Sequence, residues 1–210
     1  MNSKINLVGL ILVAAVISGC AGMSSDECVA SDWSAIGFED GSRGYTTNQF
    51  GKHRKACAKH GVTADFQSYQ NGREQGLQEY CQPGRGYSVG VNGGRYQGVC
   101  SVDQEASFLD AYNTGYQLYT LRSNVNRATS QINSKSNELE RIEDRLIANG
   151  IEMIAAETTK EERIYLLAEL KDLAERTGQL EAEIEDLYVV RARSQAELEN
   201  YQLMVADLGY

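Results

Sequence analysis

The chain has 210 residues, a formal net charge of -9, one proline, 20 glycines and five cysteines, a length that makes one or two domains. An acidic chain without a basic stripe excludes nucleic acid as the expected partner. Only two histidines are present and no Gly-x-Ser-x-Gly or His-Glu-x-x-His motif, so an enzyme is not expected and no cofactor is implied.

In chain order, the first feature is an apolar run at residues 7–17, preceded by one charged side chain, Lys4. Such a run is too short to span a bilayer, which needs about 20 apolar residues. With its positive N-region and small residues at the end, it reads as an export signal over residues 1–19. The closing tetrapeptide Ile17-Ser18-Gly19-Cys20 resembles the bacterial lipobox. That resemblance implies a diacylglyceryl group, with acyl chains such as palmitate, on the Cys20 sulfur, cleavage before Cys20 and acylation of the new N-terminus. Two or more chains hold firmly, at about 0.8 kcal/mol per buried methylene. By analogy with lipoprotein sorting, Ala21 after the cysteine favours the outer membrane, facing the periplasm. The membrane, reached through Cys20, is the first expected partner.

Residues 21–100 carry eight acidic and eight basic side chains, whereas residues 101–210 carry 21 and 11, and most glycines lie in the earlier part. The change places a boundary near residue 120, between a Cys/Gly/Tyr-rich head (20–120) and a helical tail (121–210). Within the head, short helices are expected at about residues 32–44, 47–60 and 63–80, each opened by Ser, Thr or Asp. Aromatic-x-x-Gly recurs at Phe38/Gly41, Tyr69/Gly72 and Tyr112/Gly115. Glycine inside a helix costs about 1 kcal/mol relative to alanine, so its recurrence points to close helix-helix contact. In residues 86–100, Tyr87, Val89 and Val91 alternate before Asn92-Gly93, which reads as a two-stranded β-hairpin bracketed by Cys81 and Cys100.

With Cys20 lipidated, Cys28, Cys57, Cys81 and Cys100 make two disulfides in an exported protein. Three pairings are open. Cys28 with Cys57 and Cys81 with Cys100 comes first, because the expected hairpin would bring its own ends together. A competing reading takes His53, Cys57 and His60, at i, i+4 and i+7, as metal ligands on one helix face. Lys52, Arg54, Lys55 and Lys59 around them would repel a cation, and a paired thiol in that compartment oxidises, so no metal is expected. Trp33, Tyr87 and Tyr96 are the candidate ligand-facing aromatics, although a small stapled core needs such rings for burial.

The tail carries the strongest pattern. Leu121, Val125, Ala128, Ile132, Lys135, Leu139, Ile142 and Leu146 keep a four-three alternation with one polar intruder, Lys135. A second series runs from Leu166 through Leu180, Leu187 and Leu198 to Leu208. Between them, Asn149-Gly150 signals a helix end and Thr158-Thr159 with Glu161 and Glu162 offers capping boxes. The first helix is expected from about 101 to 149 and the second from about 159 to 208. Matched lengths and a short link make them an antiparallel coiled-coil hairpin, with facing residues whose numbers add to about 308, Ile142 opposite Leu166 and Leu121 opposite Leu187. Pairing with other copies of the chain is the alternative that heptads alone leave open, so the oligomeric state stays undecided.

The head also carries Cys28-x-x-x-Asp32-Trp33, Gly37, Asp40-Gly41-x-x-Gly44, Cys57, Tyr69-x-x-Gly72-x-x-x-Gly76-Leu77-x-x-Tyr80-Cys81, Gly86, Gly90, Gly94-x-Tyr96-x-Gly98-x-Cys100 and Tyr112-x-x-Gly115. Over most of residues 28–120 this resembles the bacterial lipoproteins grouped as domain of unknown function 2799. The resemblance implies a lipoprotein with structurally important Gly, Tyr and Cys positions, and brings no activity. The expected molecule is therefore mainly α, a stapled helical head with a short β-hairpin followed by a helical hairpin. Its expected role is that of a lipid-anchored envelope protein with a structural or partner-docking part, an envelope protein on the hairpin being the second expected partner. A glycan- or peptidoglycan-binding module is the alternative.

Overall fold

The computed structural model describes residues 23–208, which form seven helices and, among those residues, no strand. Cys20 and the expected signal segment lie outside the described residues. The helix starts follow local chemistry. Ser24 and Glu27 cap each other's backbone at the start of α1 (Ser25–Val29), and the Asp32 carboxylate accepts from Ser34 and Ala35 N–H at the start of α2 (Trp33–Ser42). The helices α3 (Asn48–Ala58) and α4 (Phe66–Tyr80) follow. Pro83 opens α5 (Pro83–Val91), where its missing N–H has no partner to lose. Ser101 stands before α6 (Val102–Ile154), and a Thr159/Glu162 capping box opens α7 (Lys160–Asp207).

Two compact units divide between Gly76 and Leu77, whereas residue 120, where the composition changes, lies inside the continuous helix α6. In the first unit, α2 crosses α4 backbone on backbone. A Cβ at Gly37 would overlap the Tyr69 carbonyl, and one at Gly72 the Ser34 carbonyl. Beside this crossing, Trp33, Phe50, Tyr69 and the Cys28 and Cys57 sulfurs form a buried cluster.

In the second unit α5 crosses α6 in the same manner. A Cβ at Gly86 would overlap the Phe108 carbonyl, and one at Gly115 the Tyr87 carbonyl. Tyr80, Cys81 and Phe108 are buried there with Val89 and Tyr96 packed on them. The expected β-hairpin at residues 86–100 is thus a helix followed by a turn. Tyr87 and Val91, read as alternate strand positions, are also one helical turn apart, and both pack on Leu118, Leu121 and Leu198. Asn92-Gly93, read as a hairpin turn, ends the helix instead, with Asn92 as the cap and Gly93 at φ +67°.

The long helices α6 and α7 pack along each other. At 1.5 Å per residue their 53 and 48 residues extend about 80 and 70 Å. Leu166, Leu173, Leu180, Leu198 and Val205 are buried along α7 at the heptad positions, and Leu121, Ala128, Ile132 and Ile142 along α6. The expected helix end at Asn149-Gly150 is not observed: α6 continues to Ile154. This lengthening moves the turn and resets the register. Contacts between the helices join Arg145 to Glu169, Glu138 to Arg176, Lys135 to Glu183 and Thr114 to Tyr201, pairs whose numbers add to 314–318 rather than 308. Ile142 accordingly clusters with Leu173 and Leu180, and Leu121 with Leu198.

The two kinds of glycine separate in a stability measurement. Gly178, exposed in α7 with nothing within 4 Å of an added Cβ, should gain about 1 kcal/mol on Gly178→Ala. Gly115→Ala, forced onto the Tyr87 carbonyl, should lose about 1–3 kcal/mol. Thermal unfolding of the two variants checks both signs.

Candidate functional site

The bridges join Cys28 to Cys57 and Cys81 to Cys100, with Cα atoms 5.4 and 5.6 Å apart. The first ties α1 to α3 and the second ties the end of α4 to the residue before α6. No β-hairpin brings Cys81 to Cys100; the α5 crossing on α6 does. Of His53, Cys57 and His60, weighed as metal ligands, the bridge takes the Cys57 sulfur. His60 is exposed, and among the described residues no group of three His, Cys, Asp or Glu could hold a metal ion.

His53 has a different use. Asp40 of α2, 5% exposed, is the one buried charged residue among those described. Its Oδ2 accepts the Tyr69 hydroxyl at 2.8 Å and lies 3.0 Å from His53 Nε2. Three helices supply the cluster: α2 the carboxylate, α3 the imidazole and α4 the phenol. Tyr69 is fully buried, its ring 4.9 Å from that of Phe50. Burial first, then the bond to Asp40, push the Tyr69 phenol well above its ordinary value. No sequence signal singled out this cluster, because its members lie 13 and 29 residues from Asp40 and make no local motif.

The three aromatics considered as ligand-facing do not form an exposed cluster. Trp33 is buried with its ring edge toward Phe50. Tyr96 donates to Glu105 at 2.9 Å and accepts the Cys100 N–H at 3.0 Å. Tyr87 packs on the Leu118, Leu121 and Leu198 cluster. Exposed rings include Tyr116 and Tyr119, the outer end of a run of aromatics along α6 that begins at Phe108.

The hairpin has a charged flank and a capped turn. Lys135, the intruder in the seam, pairs with Glu183, while Arg176 reaches Glu138 at 2.8 Å and Glu183 at 3.7 Å. At the turn, the Arg163 guanidinium donates to the carbonyls of Met153 and Ala155, which the end of α6 leaves without helical partners, and to that of Thr158 in the loop. The Nδ2 of Asn149, in the same end of α6, is buried without a hydrogen bond. Away from the seam, Ile147, Ile151 and Ile154 are 63%, 63% and 76% exposed, and Ile164, Tyr165 and Leu167 of α7 are exposed as well. Among the described residues no helix is long and apolar enough to cross a membrane.

Asn149→Leu should stabilise the hairpin by about 1–2 kcal/mol, because it removes an unpaired buried amide from an apolar seam. Denaturant titration checks it. Tyr69, Tyr80, Tyr96 and Tyr201 are all pushed upward, burial being the largest cause in each. A raised folded-state value favours the neutral phenol, so this stability is fully present below about pH 10 and is lost as pH rises beyond it. Phenolate absorbance should therefore appear in two stages, the buried tyrosines ionising only as the alkaline chain unfolds.

Residues 32–117, from the cap of α2 to the middle of the aromatic run on α6, match a protein-family model. No curated protein and no solved structure matches the chain. The matched region, which holds both glycine crossings, the Asp40 cluster and the Cys81–Cys100 bridge, is similar to the family described as Protein of unknown function (DUF2799).

Proposed function

We propose that this is a non-enzymatic, lipid-anchored protein of the bacterial cell envelope, held at the outer membrane through Cys20, whose helical hairpin is a docking arm for an envelope protein. The observation that carries the docking role is the apolar row at the turn end of the hairpin. Ile147, Ile151 and Ile154 lie at i, i+4 and i+7 on one face of α6, all exposed, while the seam beside them is already filled by Ile142 and Leu146. A contiguous exposed apolar patch marks an interaction surface more often than a solvated one. The four-three alternation of the buried positions supports reading the hairpin as an antiparallel coiled coil, a shape that carries a contact far from its base. The lipobox tetrapeptide supports the anchor, because a thioether-linked diacylglycerol needs a cysteine directly after the cleavage point.

The anchor is read by intact mass. Protein extracted from membranes is expected to weigh as residues 20–210 plus acyl chains, and Cys20→Ser to release it into the soluble fraction. A full-length mass without acyl chains overturns the anchor. Docking is read separately, in mild detergent on a native gel. The extracted protein is expected to migrate above its own mass, and Ile147→Glu with Ile151→Glu to bring it down without lowering Tm. Equal migration of the two overturns the docking arm.

A further inference from the structure

The two units, each taken by itself, are built on one plan. Adding 49 to the residue number carries residues 33–45 onto 82–94, and adding 39 carries 66–80 onto 105–119. Under these shifts Gly37 falls on Gly86, Gly41 on Gly90, Gly44 on Gly93 and Gly76 on Gly115. The contacts move with them. The carbonyl that a Cβ at Gly37 would strike is that of Tyr69, and at Gly86 it is that of Phe108. An added Cβ at Gly76 would strike the Phe38 carbonyl and the Ser42 N, and at Gly115 the Tyr87 carbonyl and the Val91 N, each pair separated by the same 49.

The loop after each short helix repeats as well. Gly44 and Gly93 have φ of +73° and +67°, and their N–H groups donate to Gly41 and Gly90 at 2.9 and 2.8 Å. The next N–H, of Tyr45 or Gly94, donates to Asp40 or Val89, at 2.9 Å in both cases. That same residue's carbonyl is then held from the long helix: Arg73 Nη2 donates to Tyr45 O at 2.8 Å, and Tyr112 Oη donates to Gly94 O at 3.0 Å. Arg73 and Tyr112 differ by 39. Two unrelated residue types thus make one hydrogen bond at one place, which a chance likeness of sequence would not produce.

The cores agree in the same way. A connector aromatic lies on the buried ring of each long helix, Phe50 on Tyr69 with centroids 4.9 Å apart and Tyr96 on Phe108 at 4.8 Å. Each bridge joins the segment before the short helix to the connector. Shifting Cys28 and Cys57 by 49 and 39 gives 77 and 96, and the observed Cys81 and Cys100 each stand four residues later, so both bridge ends moved together.

We propose that the family region is a tandem duplication of one stapled, glycine-crossed helix pair, and that the Tyr69–Asp40–His53 cluster is a polar site added to the first copy, which the shared architecture does not require. The second copy supplies the comparison. Asp40 corresponds to Val89 and Tyr69 to Phe108, and Val89 packs against the hydrophobic cluster in which Phe108 is buried. A buried carboxylate and phenol therefore occupy a place where the same backbone accepts valine and phenylalanine. His53, partly exposed on α3, is the end of that site nearest solvent.

Exchange of residues between the copies tests this. In the full-length oxidised chain, Asp40→Val alone strands the buried Tyr69 hydroxyl and should lower Tm, whereas Asp40→Val with Tyr69→Phe installs the second copy's pair. The double variant is expected to form both bridges and to melt at least about 3 °C above Asp40→Val. In the second copy, Val89→Asp should lower Tm, and adding Phe108→Tyr should recover part of the loss, because the new hydroxyl meets the carboxylate at the position Tyr69 occupies in the first. A double variant at residues 40 and 69 that melts no higher than Asp40→Val, or no recovery at residues 89 and 108, overturns the equivalence of the copies.

Discussion

Where two helices meet at a glycine, what touches is one backbone against another, and the rest of the head follows from how near that lets them come. At Gly37 and Gly86 the neighbour is a carbonyl oxygen of the longer helix. A glycine Cα–H can lie against such an oxygen as a weak hydrogen bond, and any side chain would push the axes apart. The close approach leaves little room in the crossing itself, so large side chains collect beside it. Tyr69 and Phe108 are fully buried there, each next to a disulfide sulfur. Helical glycine raises the entropy of the unfolded chain at about 1 kcal/mol per residue. The bridges act on that same unfolded ensemble in the opposite sense, each worth about 2–4 kcal/mol for loops of this size. A glycine-rich helix pair with a small core is stable because it is stapled.

Two charges sit where apolar groups are expected, and they are accommodated by different means. Lys135 occupies a seam position of α6, but its long stem lets the ammonium leave the seam and meet Glu183 at the partly exposed flank. Asp40 has one methylene and cannot reach out. A carboxylate buried that far needs polar partners brought to it: the Tyr69 hydroxyl donates to it and His53 Nε2 lies 3.0 Å from it. Three helices must hold register for one carboxylate, a requirement that the apolar cluster around Val89 and Phe108 does not impose. Keeping such a cluster is easier to understand as a property of what the first unit does than of how it folds.

Much of the architecture was legible in the chain, and what was not had identifiable causes. Leu166, Leu173, Leu180, Leu198 and Val205, all in the expected apolar series of α7, are buried, because a two-helix contact reads only the period of the apolar residues. The starts of α2 and α7 follow from Asp32 and from Thr159 with Glu162, since caps are local. The segment at Tyr87, Val89 and Val91 misled because three apolar residues at alternate places fit a strand, while Tyr87 and Val91 alone fit a helix. Pro83 and the Gly86/Gly90 spacing decided between them, and their meaning depended on α6 lying alongside. The Asp40 cluster was invisible for the same reason: its three residues share no segment, and only the crossing of α2 and α4 brings them together. The burial of Trp33 depends on Phe50, another partner remote in sequence.

The hairpin register turns on a single helix end. Asn149-Gly150 offers a local stop, yet nothing packs on Gly150 and the carbonyls of the last turn find a better terminus further on. Arg163, from the first turn of α7, donates to Met153, Ala155 and Thr158 and so satisfies the end of α6 from across the loop. Had α6 stopped at Asn149, Ile151 and Ile154 would belong to a loop long enough to fold them back onto the seam. With α6 helical to Ile154, their direction is fixed by the 3.6-residue period, and they join Ile147 in one exposed row beside the seam. The same step that moved the pairing from 308 to about 315 placed Lys135 within reach of Glu183 and left the isoleucine row outside. Register, charge pairing and the exposed apolar face are thus one consequence of where α6 ends, and a guanidinium contributed by the other helix sets that end.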